Sequence, residues 1–299
     1  MKIFLTGATG LLGSRVLELL LKKNHDIWVL IHDQSRLEEF QHKGVHAMVG
    51  NAEENGSWLG QLPEEIDITL NLIIPTIPAR LSLKQVENEI APLVFNIGKN
   101  VLYASQKTNA KRFYQIADVH CYQNSGIEIT EKSLLNRDAT DWGRIYMDMF
   151  PYLQNQKNMP VTFLMHGLLY DSAGNTRPEL PRIAGRFPIV GNGANVLSLT
   201  HIEDLAAAIS FVIDTNFSQQ FLNIVDDKPI PQKDFLKLLA LKNQIATVPL
   251  PTFLATPALG DILTNTLTTS IHVSNHELKS LGYWLKFPDI SSGFAPGTI

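Results

Sequence analysis

A short apolar segment, Lys2 to Thr6, runs through a glycine-rich turn into a stretch from about Leu11 to Lys23 whose apolar residues recur at helical spacing. The same order then repeats. Asp26 to Ile31 reads as a strand and Ser35 to His42 as a short helix, followed by strands at His46 to Val49 and Asp67 to Ile74. A long helical pattern covers Leu83 to Thr108, with Pro92 marking a start or a kink. Arg112 to Ile116 is a fifth strand. A helix over about Ala139 to Gln156, interrupted by Pro151, leads to a sixth strand at Val161 to Met165. The strands are apolar without clean alternation, as a parallel sheet covered by helices on both faces requires. The pattern predicts an α/β chain with a Rossmann-type doubly wound parallel sheet.

After Gly167 the periodicity loosens, with Gly174, Pro178, Pro181, Pro188, Gly191 and Gly193 preceding a helix at about Ile202 to Ile213. Phe221 to Val225 reads as a further strand and Gln232 to Lys242 as a helix. Residues 1–166 are expected to form mainly a dinucleotide-binding domain and 167–299 mainly a small C-terminal substrate lobe. Elements within about 198–230 are expected to return to the sheet.

The turn after the first strand carries the most chemistry. Gly7 allows a sharp departure from the strand, Gly10 lets backbone approach a pyrophosphate, and Gly13 lets the helix pack closely on the sheet. The amides and positive end of the helix that starts near Leu11 are suited to an anion. Candidate cofactor contacts at the turn are therefore Gly7, Thr9, Gly10, Leu11, Leu12 and Gly13.

Composition narrows the classes. With 44% hydrophobic and 18% charged residues, the 299-residue chain can bury a large core. A net charge of −4 and no basic run beyond Lys22-Lys23 argue against a nucleic-acid partner. Cys121 is the only cysteine, which rules out an internal disulfide or a cysteine zinc cluster, and the nine histidines show no paired metal-ligand spacing. No metal site is expected. There is no signal-peptide pattern and no apolar run near the ~20 residues of a membrane span, so a cytoplasmic protein is expected.

Several segments, in order, resemble the extended and atypical short-chain dehydrogenase/reductases, the NAD-dependent epimerase/dehydratase family. They are TGATGLLG at 6–13, KRFYQIADVHCY at 111–122, ITEKSLLNRDATDWGR at 129–144, VGNGANVLSLTHIEDLAAAI at 190–209, FLNIVDDKPI at 221–230 and LKSLGYWLKFPD at 278–289. In that family a serine after the fifth strand positions substrate. A tyrosine four residues before a lysine transfers the proton, and the lysine lowers a phenol pKa that is otherwise near ~10. Here Asp118 stands at the serine position, Trp142 at the tyrosine position and Tyr146 at the lysine position. An indole N–H donates a hydrogen bond but is no acid or base near neutrality. Asp118 and Tyr146 are a candidate replacement pair, the carboxylate acting as base, and Tyr146 is also a candidate ribose contact. Trp142, Ile145, Tyr146, Met149, Phe150 and Leu153 form an apolar stripe at helical spacing that suits either core or a dimer interface. The resemblance implies a homodimer through the helices near 83–108 and 139–156.

The resemblance also bears on cofactor and substrate. NAD-binding members carry an acidic residue at the end of the second strand; here that end is Ile31 and His32, with Asp33 late and Arg36 following. His32 and Arg36 are candidates for a 2′-phosphate, so NADP(H) is expected over NAD(H). Asn51 and Ala52 match the adenine-contacting pair after the third strand, and Leu72 and Ile73 follow the fourth strand where the family lies against the cofactor. Arg177, Arg182 and Arg186 fall in the substrate loop. Met165 and His166 replace an Arg-Pro pair, and the compact C-terminal segment suits a ligand smaller than a sugar nucleotide. His201 and Asp204 are expected to cap and anchor a helix. Two readings stand: an atypical oxidoreductase or epimerase-like enzyme on a small molecule, or a non-catalytic NADP(H)-binding regulatory or redox-sensing protein.

Overall fold

The computed structural model describes residues 1–74, 81–124, 126–139, 141–156, 158–215 and 217–295. Its centre is a seven-stranded sheet. Strands β1 (Lys2–Thr6), β2 (Asp26–Ile31), β3 (His46–Val49), β4 (Ile68–Asn71), β5 (Arg112–Asp118) and β6 (Val161–His166) are joined by Phe221–Ile224. The order across the sheet is Phe221–Ile224, β6, β5, β4, β1, β2, β3, and every pairing is parallel. The order reverses between β1 and β4, which opens a crevice at the carboxyl ends of these strands.

Both faces of the sheet are covered, which explains the missing alternation. In β1, Ile3 and Leu5 pack into the cluster beneath helices α1 (Leu11–Lys22) and α6 (Ile202–Val212), with Val16, Leu20 and Leu205. Phe4 points the other way, into the cluster that holds Val94, Val101, Phe113, Phe150 and Phe163. A buried polar chain crosses the strand ends under the crevice. The Thr6 hydroxyl donates to Asn71 Oδ1 (2.6 Å), Asn71 Nδ2 to Gln115 Oε1 (2.8 Å), and Gln115 Nε2 to the Ile116 carbonyl (2.9 Å). Each buried polar group is thereby paired, and β1, β4 and β5 are fixed relative to one another.

Three elements differ from the sequence expectation. β4 ends at Asn71 rather than Ile74, because the Leu72 carbonyl turns over the Gly7 backbone, leaving no room for a Cβ there. The long helical pattern is one path in three parts: α2 (Leu37–His42) precedes it, then α3 (Leu83–Gln85) widens into a π turn at Val86–Ile90 before α4 (Ala91–Lys107). Pro92 has no amide hydrogen for the carbonyl four residues earlier, and the widened turn absorbs that missing bond. The helix expected over 139–156 is a 3₁₀ segment, Trp142–Tyr146, followed by the short α5 (Met149–Gln154). Asp141 caps the first turn by accepting from the Gly143 amide (3.0 Å). Pro151 lacks the hydrogen needed to continue the helix across Met147, so α5 starts afresh.

The C-terminal part is built from small pieces. Phe187–Val190 pairs with Thr247–Leu250, Val196–Leu197 with Ile230–Pro231, and Leu168–Tyr170 lies between Leu199–His201 and Thr176–Arg177. His201 Nδ1 accepts from the Glu203 amide (3.3 Å) and so caps α6. The buried Asp204 carboxylate accepts from the amides of Lys286 (2.8 Å) and Phe287 (2.7 Å) and so anchors the distant segment after Gly282.

Candidate functional site

One cleft of about 610 Å³ opens along the carboxyl edge of the sheet. At one end it is walled by Gly7, Thr9, Gly10, Leu11, Leu12 and Gly13, and along its length by His32, Asn51, Ala52, Leu72 and Ile73. Asp118, Trp142, Tyr146 and His166 form the far wall, with Arg177 and Glu179 at the mouth. The candidate cofactor-binding and catalytic residues thus meet in one space, Arg36 excepted. Arg36 donates to both carboxylate oxygens of Glu39 (2.9 and 3.1 Å), and one of its N–H groups reaches the Thr9 carbonyl at 3.4 Å. It stands at the outer edge of the turn. Of the three loop arginines, Arg177 alone lines the cleft; Arg182 is bonded to Asn243 and stacks on Phe187.

The glycines of the turn have different reasons. Gly7 has φ +80°, and a Cβ there would lie 2.7 Å from the Leu72 carbonyl. A Cβ on Gly13 would fall 2.1 Å from the Gly7 carbonyl oxygen. Those two glycines let backbone pack on backbone. A Cβ on Gly10 would meet only the Gly7 oxygen, at 3.3 Å, and would otherwise project into open space. Gly10 is therefore a cradle that its own protein does not fill. It is also the N-cap of α1, with no side-chain cap, and the first intrahelical bond runs from the Ser14 amide to its carbonyl (3.0 Å). The amides of the first turn are left for a ligand, and an anion is the ligand they suit.

The far wall is a cluster of buried titratable groups. Asp118 Oδ1 accepts from the backbone amide of His120 (2.8 Å) and from its ring Nδ1 (2.7 Å). Burial alone would lower the His120 pKa, but the carboxylates of Asp118 and Asp141 raise it to about 9. Burial likewise opposes ionisation of Asp118, and the two histidines, His120 first, hold it below the usual carboxylate range. The pair is ionised at neutral pH. Burial pushes Asp141 up, and it pushes the Tyr146 phenol well above the ordinary tyrosine range, with the Asp118 charge adding to the effect. Tyr146 has no cation in the lysine's role, so it is a hydrogen-bond donor rather than a base. The stripe from Trp142 to Leu153 is buried within this single chain, which makes it core, with Trp142 and Tyr146 also facing the cleft.

Sequence reasoning missed the role of His120, and it registered His166 only as a replaced position. The signal for His166 lay in strand register: Asp118 and His166 are partners in the β5–β6 ladder and so leave the sheet on the same face. No group of three or more His, Cys, Asp or Glu residues suited to a metal occurs among the described residues, and no helix there is long and apolar enough to cross a membrane.

The NAD dependent epimerase/dehydratase family matches residues 3–224, from the first strand to the last strand of the sheet. The chain belongs to that family. This family member is 24% identical over 279 residues to the epimerase family protein YfhF of Bacillus subtilis, covering 88% of this chain and 86% of that protein. It is 24% identical over 298 residues to the 3-diazoavenalumate denitrifying reductase of a Streptomyces species, covering 95% of each. Among solved structures it is similar to human epimerase family protein SDR39U1 (isoform 2) with NADPH, at 17% identity, a TM-score of 0.73 and 98% coverage of both chains. The fold and the NAD(P)-binding character of the family are thus those of this epimerase/dehydratase member.

Proposed function

We propose that this family member binds NADP(H) and is an atypical oxidoreductase or epimerase-like enzyme that acts on a small molecule without tyrosine–lysine chemistry. The observation that carries the reading is one continuous cleft leading from an uncapped helix start and an unfilled glycine cradle to a buried wall of polar groups. The dinucleotide would lie with its pyrophosphate over Gly10 to Leu12, its adenine by Asn51 and Ala52, and its nicotinamide toward Asp118, Trp142 and Tyr146. Bound there, it would supply hydride transfer. Asp33, the acidic residue nearest the end of β2, spends its carboxylate on the Ser35 amide (2.9 Å) and does not line the cleft. His32 does line it, and Arg36 sits beside Thr9, which favours a 2′-phosphate over a free ribose hydroxyl. Trp142 in place of an acid–base tyrosine favours, as a second reading, a redox-sensing protein that holds NADP(H) without turnover.

Titration of the purified protein with NADPH and NADH, followed by ligand fluorescence and thermal shift, tests the reading. NADPH is expected to bind more tightly. Arg36→Ala is expected to weaken NADPH about tenfold and leave NADH nearly unchanged, in keeping with loss of one charge-assisted contact. Equal affinity for both dinucleotides in the parent protein would remove the 2′-phosphate assignment, and binding of neither would remove the cofactor reading.

A further inference from the structure

We infer that His166 is the acid–base residue of the cleft, doing the work that Trp142 cannot; the inference rests on the nicotinamide reading of the cleft given above. His166 ends β6 with 3% exposure, directly beside Asp118 in register, and is one of the residues that line the cleft. Its Nδ1 lies 2.8 Å from the Gly167 carbonyl. A carbonyl only accepts, so Nδ1 carries a proton and the ring is held in one orientation. Nε2 is then the exchangeable nitrogen, a lone pair in the neutral ring and an N–H in the cation. It is buried and has no hydrogen-bond partner among the described residues. A buried polar atom left unpaired costs about 1–3 kcal/mol, and a bound molecule in the cleft would remove that penalty.

The neighbouring groups leave the task to His166. Trp142 Nε1, also buried and unpartnered, can only donate. Tyr146 is a donor without a cation to activate it. His120 does not line the cleft, and its Nδ1 is committed to Asp118. Asp118 is pinned as an anion by His120, and its second oxygen lies 4.0 Å from His166 Nδ1. When protonated, the ring suits the oxygen of a carbonyl substrate, and Trp142 lines the same cleft. A reduced nicotinamide in this cleft would supply hydride to the carbonyl carbon. As the C=O π pair moves onto oxygen, His166 Nε2 gives that oxygen its proton. A hydroxyl and a neutral imidazole result, and the ring regains a proton from water once the product has left. Oxidation of the alcohol runs the same steps backwards, with the neutral ring as base.

A binding experiment without substrate tests the placement. NADP⁺ and NADPH share the 2′-phosphate and differ in the positive charge of the nicotinamide ring, so the ratio of their Kd values cancels phosphate titration. The charged or titratable group in contact with His166 is Asp118 on β5; Tyr146, Arg177 and Glu179 line the same cleft, and His120 and Asp141 lie behind its wall, about Asp118. His166→Asn keeps an amide donor for Gly167 and removes Nε2. In the parent protein, NADP⁺ is expected to gain about tenfold in affinity relative to NADPH between pH 5.5 and pH 8, the range over which an imidazole ordinarily changes charge. In His166→Asn the ratio is expected to stay constant over the same range. With 9,10-phenanthrenequinone as probe, the variant is expected to lose about 100-fold in kcat, the size of a general-acid contribution, together with the alkaline fall of the parent profile. A constant ratio in the parent protein, a ratio that still depends on pH in the variant, or parental quinone turnover by the variant overturns the assignment. Failure of both dinucleotides to bind overturns the nicotinamide reading first and is told apart because it appears before any pH is varied.

Discussion

Gly13→Ala is expected to destabilise the protein by roughly 3 kcal/mol, the upper range for forced overpacking of a tight contact, whereas Gly10→Val is expected to leave it folded and strip it of NADPH. The two glycines are three residues apart in one turn, yet their surroundings are opposite. The added methyl at 13 would sit 2.1 Å from the Gly7 carbonyl oxygen, a backbone atom fixed by the left-handed conformation at Gly7 and by the Leu72 carbonyl above it. No side-chain rotation relieves that contact. At position 10 the backbone is extended (φ −81°), which valine adopts readily, and the added carbons project into the cleft. They would occupy the place of the pyrophosphate, and a loss of about 100-fold or more in NADPH affinity is expected, equivalent to about 3 kcal/mol. Urea unfolding and NADPH titration of both variants give the check. A Gly10→Val protein that binds as tightly as its parent would show that the anion lies elsewhere, and a Gly13→Ala protein of parental stability would refute the packing argument.

Removing the His120 ring is expected to cost about 3–5 kcal/mol near pH 6.5, because it strands the buried Asp118 charge. Removing both partners, as in Asp118→Asn/His120→Asn, is expected to cost less than either His120→Ala or Asp118→Ala alone, since no uncompensated charge remains. The pH dependence has a definite sign. His120 titrates at about 9 in the folded chain and near 6.5 when unfolded, so its stabilisation is complete below about pH 6.5 and is lost as the pH rises through 9. Asp118 is depressed, so its contribution is present above about pH 3.8 and lost as the pH falls below that. Asp226, which accepts from the Tyr170 hydroxyl (2.8 Å) and the His201 amide (3.2 Å), is pushed up to about 7 by burial. It adds a decline between about pH 3.8 and 7 that His120 variants retain. The informative quantity is therefore the difference in unfolding free energy between parent and His120→Ala across pH 6 to 9.5. A difference that does not shrink as the pH rises would mean that the ring is not held as a cation.

The parts of the molecule legible in the sequence are those whose physics is local. A strand of unbroken apolar residues, a turn with glycine at three set positions and a following amphipathic helix are all written within a short stretch, and β1, the turn and α1 lie where that stretch places them. Asn51, Ala52 and Leu72 follow from it, because they come at the ends of strands whose order the fold dictates. The far wall was harder. Asp118, Trp142 and Tyr146 were found by their positions in a motif, but the pairing of Asp118 with His120 and His166 depends on a turn geometry and a strand register that no periodicity reveals. The segment from Trp142 to Gln154 shows the limit from the other side. The residues of its apolar stripe fall at helical spacing and are buried, but the same spacing is satisfied by a 3₁₀ turn followed by a short helix. Arg36 is legible as a charge near the turn, while its bond to Glu39 is not, because both side chains are long and exposed.

The carboxylate of Asp204 reaches across more than eighty residues of sequence to two consecutive amides. It acts as a reversible staple between the first helix layer and the chain's closing segment. Pulling that segment away would leave a buried carboxylate and two amides without partners at once, on a helix that also lies against α1. Asp204→Ala is thus expected to loosen the segment around Lys286 and Phe287 and the α6 layer together.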